Sequence, residues 1–433
     1  MHITDVCLSE IRGHWTEPDF PPGDRQAQML DVYPEFNARN PSSRRSEPQS
    51  IRAVYVEIAT DETVSGLFGP IDDGQAFLIH RTLRPFLLGR DPLATEAIFD
   101  QMLRLNRHGR SGLFMTAVSA VDCALWDLKG KAWEQPVFRL LGGPTRDAVP
   151  AYASMLGFSV QPEAAARVAV EYRDMGYTAQ KWFFRYGPTD GERGLQANIA
   201  LARALRTVLG PHYPLMFDAY MGWDLSYASE MVRAMEPYNL TWLEEPLAPE
   251  RVGAFRKLGE ASKVPLATGE HVYTRWQVKE LLVNDAIDVI QTDPDWTGGI
   301  TELVKICTLG STFEVPVVAH GHSLLAALHV AGAQSPSTVP YVEFLYRHQA
   351  RKQALHKHQF YPENGNLTLP DLPGLGLVLD RPRAGHDQGA DPGGDPAALG
   401  HLRHRPQVLD ASVGAGADEH RVDADLLHGG AGG

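Results

Sequence analysis

Two different hydrophobic periods run along the chain, and the change between them falls near residue 145. Before it, "ITDVCLSEI" predicts one strand and "RAVYVEIATDETVSGLFGP" predicts two more strands around a turn. From about Leu93 to Leu141 the apolar residues recur at helical spacing, most clearly in "FMTAVSAVDCALWDLKGKAW", until Pro136 interrupts the pattern. Residues 1–145 are therefore predicted to form an N-terminal α+β domain. A long polar segment at residues 15–50 separates its first two strands, and connections of this length are usually functional or disordered.

After residue 145, short apolar strands alternate with amphipathic helices such as "SYASEMVRAMEPY" and "RWQVKELLVNDA". Each strand ends in a polar residue, and the series is Lys181, Asp218, Glu244, Glu270, Asp293, His320 and Glu343. From Asp218 onward, subtraction of residue numbers gives intervals of 26, 26, 23, 27 and 23 residues. Eight βα units of a parallel barrel take about 250 residues, and their strands end at one common mouth. The period therefore predicts an α/β barrel whose polar strand ends converge.

Composition narrows the class of protein. With 433 residues, 43% apolar and 21% charged, the chain is ordinary for a soluble globular protein of two or three domains. The net charge of −13 argues against a nucleic-acid partner, which requires a basic face. Three cysteines far apart in the sequence, without a CxxC motif, are typical of reduced thiols. The N-terminal residues do not have the pattern of a signal peptide. No apolar run reaches the roughly 18 residues that a membrane helix needs. We expect a cytoplasmic protein that does not bind membranes.

The last part of the chain has a different character. Residues 381–433 contain no aromatic residue and no lysine and are rich in Gly, Ala, Asp and His. This composition predicts a disordered tail. Its five scattered histidines leave metal binding as a weaker alternative.

Three successive strand ends carry carboxylates, Asp218, Glu244 and Glu270. Adjacent strands lie about 4.8 Å apart, so these groups would repel one another strongly in a partly dry site. A hard divalent cation with oxygen ligands relieves that repulsion, and Mg²⁺ is the default because it keeps positions open for water and substrate. The alternative is that each acid is a solvated strand end or a helix cap.

The next two strand ends predict an acid–base pair. If Asp293 binds one imidazole nitrogen of His320, it fixes the tautomer and leaves the other nitrogen as a general base. Lys181 could offer its charge to a substrate carboxylate or to a developing enolate, although a surface lysine with an extended stem is the simpler alternative. His322 is expected to point elsewhere if Gly321 turns the chain.

The full set of strand-end residues resembles the mandelate racemase subgroup of the enolase superfamily, and Ala117–Gly143 resembles its helical signature. The stretches "DAYMGWDLSYA", "TGEH" and "QTDPDWTGGITELVKI" are most similar to acid-sugar dehydratases of that subgroup, which act on aldonates such as L-rhamnonate. The resemblance implies a modified TIM barrel, (β/α)7β, over residues 146–345, an N-terminal capping domain, and a segment at 346–380 that returns to the cap. It also implies a homo-oligomer, between dimer and octamer, and one Mg²⁺ per subunit held by Asp218, Glu244 and Glu270.

One departure from the subgroup bears on the reaction. Its racemases carry Lys-x-Lys on the second strand, whereas this chain reads Lys181-Trp182-Phe183 and lacks the second base. The resemblance therefore implies dehydration of a sugar acid to a 2-keto-3-deoxy acid by a hydro-lyase. His320, Asp293, Lys181 and Glu343 are the implied catalytic residues, with Glu343 hydrogen-bonded to the enediolate. Arg45, Arg185 and His271 are the predicted substrate contacts.

Three alternatives stay open. A racemase, epimerase or cycloisomerase could use the same fold, and a binder of sugar acids could use the same site without turnover. The pair His320 and His322 could belong to a metal-dependent hydrolase, but those enzymes usually place this motif on the first barrel strand.

Overall fold

The computed structural model describes residues 1–18, 20–33, 35–37 and 49–380. Two predictions fall outside these ranges. One is the substrate contact at Arg45, and the other is the disordered tail at residues 381–433. Both therefore lie outside the described residues.

The N-terminal part is a three-stranded antiparallel sheet followed by helices. Its strands, in the order β1-β2-β3, are β1 (Ile3–Trp15), β2 (Gln49–Thr60) and β3 (Ser65–Ile71). The helices are α1 (Asp73–Leu78), α2 (Arg84–Leu87), α3 (Thr95–Leu105), α4 (Gly112–Ala132) and α5 (Val137–Leu140), with a π-helical turn at Ile79–Leu83. The three predicted strands and the helical region after Leu93 are confirmed, whereas α1 and α2 were not predicted.

Residues 148–345 form the predicted barrel. Its strands are β4 (Ala148–Ser154), β5 (Gln180–Phe183), β6 (Leu215–Asp218), β7 (Trp242–Glu244), β8 (Leu266–Thr268), β9 (Val289–Ile290) and β10 (Val342–Leu345). They pair in parallel in the order β10-β4-β5-β6-β7-β8-β9. Val317 bridges Ile290 in parallel and donates its N–H to the Thr338 carbonyl at 2.8 Å, so the segment before His320 takes the place of a strand between β9 and β10.

Seven helices connect these strands. They are α6 (Pro162–Asp174), α7 (Gly191–Leu209), α8 (Leu225–Met235), α9 (Val252–Ala261), α10 (Thr274–Val283), α11 (Gly299–Thr312) and α12 (Leu324–Ala333). The (β/α)7β barrel is thereby confirmed. The predicted series omitted β4, because this strand ends in Ser154 instead of a charged residue.

An apolar layer inside the barrel explains why the predicted residues face inward. It consists of the buried residues Tyr152, Ala179, Met216, Trp242, Ala267, Val289 and Val318, against which the partly buried Tyr341, just before β10, packs. Side chains two residues apart on a strand point to the same side. Asp218 follows Met216 by two residues and Glu244 follows Trp242 by two, so both carboxylates stand above this layer, toward the carboxyl ends of the strands.

The cap meets the barrel through α4 and the start of α11. Thr301 donates its backbone N–H to Asp122 at 2.9 Å, and Gly298 donates to the Ser119 hydroxyl at 2.8 Å. Gly299 has φ +78° there, and a Cβ would lie 2.3 Å from an Asp122 oxygen, so glycine is required. Side chains of α4 thus satisfy the free N–H groups of α11 and position the loop from Asp293, which precedes it.

The segment after β10 returns to the cap. It contains α13 (Tyr346–Lys352) and β11 (Asn366–Thr368), and β11 pairs antiparallel with β4. Farther on, Leu375 donates its N–H to Asp127 of α4 at 2.8 Å. None of the described helices is long and apolar enough to cross a membrane.

Asp127 offers a test of this junction. It is fully buried and also accepts the N–H of Leu67 at 2.7 Å and the Lys131 ammonium at 2.6 Å. Asp127→Ala leaves two buried N–H groups without an acceptor, at about 1–3 kcal/mol each. We expect the free energy of unfolding in urea to fall by about 3 kcal/mol.

Asp100→Ala in α3 of the same domain is the matched control, because its ion pair with Arg104 is exposed. Its effect should stay below about 0.5 kcal/mol. Equal effects of the two substitutions would contradict the role given to Asp127.

Candidate active site

A cavity of about 170 Å³ opens at the carboxyl ends of the barrel strands. Residues from the barrel, its loops and the N-terminal segment line it: Gln26, Leu156, Lys181, Phe183, Asp218, Tyr220, Glu270, Trp296, His320, His322, Glu343, Leu345 and His348. Five of the predicted site residues, Lys181, Asp218, Glu270, His320 and Glu343, are therefore brought together. Glu244 and Asp293 lie behind this surface and contact it through Lys181 and His320.

Lys181 is the buried cation at the centre of the site. Its ammonium lies 2.7 Å from Glu244, 2.9 Å from Glu343 and 3.8 Å from Asp218. Burial alone would lower the pKa of Lys181, but the carboxylates outweigh it and hold that pKa well above its usual range. Lys181 is therefore an ammonium at neutral pH, and the surface-lysine alternative is wrong because only 1% of the residue is exposed.

His320 is bound by a carboxylate on each side of its ring. Nδ1 lies 2.9 Å from Asp293 Oδ2, and Nε2 lies 2.8 Å from Glu270 Oε2. The predicted contact between Asp293 and His320 is therefore present. Asp293 also accepts the backbone N–H of His322 at 3.0 Å, which fixes the carboxylate in place. With Nδ1 directed at Asp293, Nε2 is the nitrogen that faces the cavity side of the site.

The three predicted metal-binding carboxylates are buried close to one another. Asp218 and Glu244 are register partners on β6 and β7, and Glu270 lies two residues past the end of β8. Burial raises the pKa of Asp218 well above its usual value, with a further rise from the Glu244 charge, and burial raises the pKa of Glu244 to about 7. No described group hydrogen-bonds to Glu244 Oε1, although it is buried. Buried carboxyl oxygens that lack a hydrogen-bond partner fit a hard divalent cation.

In the described part of the chain, two groups of side chains bring three potential ligand atoms within 4.8 Å of one another. They are Glu245–Glu270–His271 and Asp293–Asp295–His322, and neither is the predicted trio. Glu245 accepts hydrogen bonds from the Thr268 hydroxyl at 2.9 Å and from His271 Nδ1 at 2.9 Å. Glu245 thus holds its neighbours in place, including the side chain that follows Glu270.

The predicted substrate contacts are placed differently from the expectation. Arg185 is buried against Asn37 at 3.0 Å and Asp31 at 3.5 Å, and it is not among the residues that line the described cavity. His271 is also absent from that lining and stacks on Trp296 with ring centroids 6.1 Å apart. His322, expected to point elsewhere, lines the cavity instead. That expectation was wrong because Asp295 holds the His322 ring toward the cavity.

Several cavity residues escaped the sequence prediction, namely Gln26, Tyr220, Trp296 and His348. Gln26 belongs to the strap, defined as residues 20–33, which crosses the barrel mouth. Ala27 of the strap donates its N–H to the Phe184 carbonyl at 2.8 Å, and Asp24 accepts the Val160 N–H at 2.9 Å. The strap passes so close to the barrel that a Cβ on Gly23 would lie 1.7 Å from the Gly157 oxygen.

Both halves of the chain match known protein families. Residues 38–142 match the mandelate racemase / muconate lactonizing enzyme N-terminal domain, and residues 164–384 match the family described as enolase C-terminal domain-like. The chain therefore belongs to the mandelate racemase / muconate lactonizing enzyme family of the enolase superfamily. The resemblance seen in the sequence is confirmed.

The relatives of the chain are named for more than one reaction. L-rhamnonate dehydratase from Saccharopolyspora erythraea is 34% identical over 382 residues, covering 86% of this chain and 92% of that protein. The structure of rhamnonate dehydratase from Gibberella zeae complexed with Mg is 29% identical, with a TM-score of 0.76 and coverage of 88% and 95%. The 3,6-anhydro-D-galactonate cycloisomerase from Zobellia galactanivorans is 28% identical, with a TM-score of 0.69 and coverage of 89% and 98%.

Lys181→Met tests the balance of charge in the site. In metal-free buffer the variant leaves Glu244 and Glu343 buried without their cation, and breaking a buried pair in this way costs about 3–5 kcal/mol. We expect urea denaturation at pH 7 to show a loss of this size. The loss should shrink as the pH falls toward 4.5, because the buried carboxyls of the variant, with pKa values raised above those of the unfolded chain, then bind protons.

Lys279→Met is the control, since the ion pair of Lys279 with Glu280 is exposed. It should change stability by less than about 1 kcal/mol at either pH. A Lys181→Met loss that is small, or that grows at low pH, would contradict the charge assignment.

Proposed function

We propose that the protein dehydrates a sugar acid to a 2-keto-3-deoxy acid in a Mg²⁺-dependent reaction. One observation carries the proposal: the His320–Asp293 pair and the ammonium of Lys181 meet at one cavity with three buried carboxylates. That set supplies a base, a fixed positive charge and a cation site, which are the groups needed to remove a proton next to a carboxylate. The relatives named L-rhamnonate dehydratase support an aldonate as the substrate.

Asp218, Glu244 and Glu270 are the residues that would hold the metal ion. Bound there, Mg²⁺ would act as a Lewis acid toward the substrate carboxylate and offset negative charge as the α-proton leaves. The buried positions of the three acids, and the free Oε1 atom of Glu244, support this assignment. The Mg-complexed structure of the Gibberella relative supports it as well.

His320 carries out both proton transfers. Asp293 keeps the proton on Nδ1, so Nε2 can take the α-proton from the substrate. The Lys181 ammonium, which Glu343 holds at 2.9 Å, then stabilises the resulting enediolate as a hydrogen-bond donor with a fixed positive charge. The C3–O bond breaks, and the leaving hydroxyl takes a proton from the His320 imidazolium and departs as water. The enol product becomes the 2-keto-3-deoxy acid, so the net change is the loss of one water molecule.

The second position of the family's Lys-x-Lys pattern carries Phe183, which cannot act as a base. Phe183 lines the cavity where racemases of the family carry a second lysine. Lys181 cannot replace it, because Glu244 and Glu343 hold its pKa well above its usual range and keep it protonated. Racemisation needs a proton acceptor or donor on each face, so the one-sided arrangement favours elimination. A cycloisomerase is the second candidate, because a relative of that activity shares the fold at a TM-score of 0.69.

The test is incubation of the protein with Mg²⁺ in D₂O against a panel of six-carbon aldonates that includes L-rhamnonate. We expect a keto acid for at least one member, detected as its semicarbazone and by proton NMR. His320→Asn should lower its formation by at least about 10³-fold, as expected on removal of an essential general base, and the variant should stay folded at the assay temperature by circular dichroism.

Other products would contradict the proposal. Recovery of an epimer with deuterium at the α-carbon would indicate a racemase, and an isomer of the same mass as an anhydro-sugar substrate would indicate a cycloisomerase. Substantial keto-acid formation by His320→Asn would remove His320 from the role of base.

A further inference from the structure

We propose that His348 and Gln26 form a subsite for hydroxyl groups on the part of the sugar chain beyond the reacting carbons. The subsite selects a monoacid with a neutral far end over a diacid of the same length. This inference rests on the proposed function, because it takes the ligand to be a sugar acid.

The first observation is a pair of unsatisfied polar atoms on the wall of the cavity. His348 Nε2 and Gln26 Oε1 are both buried, and no described residue hydrogen-bonds to either of them. Buried polar atoms are nearly always satisfied, because leaving one without a partner costs free energy. The sugar chain of a ligand in this cavity can supply the missing partners, and a hydroxyl suits both atoms because it can donate or accept.

The second observation places His348 away from the base. Three successive ring contacts connect His320 to His348 along the wall: His320 with Trp296 at 5.0 Å, Trp296 with His322 at 5.0 Å, and His322 with His348 at 4.9 Å. The base and His348 are therefore separated by two intervening rings. A substrate whose α-carbon lies at His320 would reach His348 only with its more distant carbons.

The third observation concerns charge. Lys352 donates to Asp295 at 2.8 Å and to the His322 carbonyl at 2.7 Å, and His322 Nδ1 also contacts Asp295. The one lysine in this cluster is thus paired with the one carboxylate. Burial and the neighbouring His322 hold the pKa of His348 well below its usual range, so its ring is neutral. A second carboxylate on the ligand would meet no unpaired cation among these residues.

The neighbouring residue holds the two halves of the subsite together. Arg347 of α13 stacks over Phe20 and Phe158 at 5.1 and 4.9 Å, and its guanidinium contacts the Pro21 carbonyl. These contacts fasten the strap, which carries Gln26, to the helix that carries His348. The two unsatisfied atoms therefore line one cavity on two segments that Arg347 joins.

Binding to the full-length His320→Asn protein, loaded with Mg²⁺, separates this inference from turnover. Calorimetry compares L-rhamnonate, its 4-deoxy and 5-deoxy analogues, and the six-carbon diacid galactarate. We expect L-rhamnonate to bind about tenfold more tightly than at least one deoxy analogue, the size of one neutral hydrogen bond, and more tightly than galactarate. Adding His348→Phe should weaken the binding of L-rhamnonate by about tenfold and leave the binding of that deoxy analogue unchanged.

Gln26→Leu is the second variant and should show the same pattern, in case His348→Phe alters the packing of its helix. His212→Phe replaces an exposed histidine far from the cavity wall in sequence and should change nothing. If the two variants weakened the binding of L-rhamnonate and of both analogues equally, His348 and Gln26 would have a merely structural role, and the inference would be overturned. Tighter binding of galactarate, or no binding of any of these acids, would also overturn it.

These outcomes are distinct from failure of the proposed function. That failure would appear as the absence of keto acid from the wild-type protein with every aldonate, even if the binding preferences were as expected. Conversely, the wild-type protein could form a keto acid while neither His348→Phe nor Gln26→Leu changes the difference in binding between L-rhamnonate and its deoxy analogues. That result would support the proposed function and contradict the subsite.

Discussion

The site is organised around an excess of buried negative charge at the mouth of the barrel. Apart from Asp295, which is paired with Lys352, six carboxylates are almost fully buried there, namely Asp218, Glu244, Glu245, Glu270, Asp293 and Glu343. The cations among the described residues that contact them are Lys181 and, when protonated, His271 and His320. Even with both histidines charged, six negative charges face three positive ones. Burying unpaired charges at this density is costly, so the barrel mouth is stable only with a further cation or with protonated carboxyls.

The barrel creates this excess because its strands are in register. Parallel strands bring their carboxyl ends to one mouth, and the apolar layer around Met216 and Trp242 forces the residues two positions later to face the same side. The cap then closes the site from outside. Helix α4 anchors the start of α11 after the Asp293 loop, and the strap covers the barrel where Ala27 meets Phe184. The groups proposed for the reaction thus lie at the ends of barrel strands, whereas Gln26 and His348, proposed to bind the rest of the ligand, lie on the strap and α13.

The sequence predicts the cavity residues at strand ends far better than the cavity residues from the strap and α13. Lys181, Asp218 and His320 could be recognised because a polar residue that closes an apolar strand leaves a periodic signal. Arg185 shows the limit of that signal: it follows Phe183 by two residues, but β5 ends at Phe183 and the strap residue Asp31 binds the guanidinium. Gln26 and His348 leave no signal at all, because their positions depend on how the strap and α13 fold back over the barrel.

The two unexpected carboxylate–histidine clusters sharpen the central question, which is where the compensating cation binds. A crystal structure of the protein soaked with Mn²⁺ in place of Mg²⁺, with anomalous scattering to locate the ion, answers it directly. The account predicts a single strong peak coordinated by Asp218, Glu244 and Glu270, with Glu244 released from part of its contact with Lys181. A peak at Glu245–Glu270–His271 or at Asp293–Asp295–His322, with the predicted trio still bound to Lys181 and His320, would contradict it.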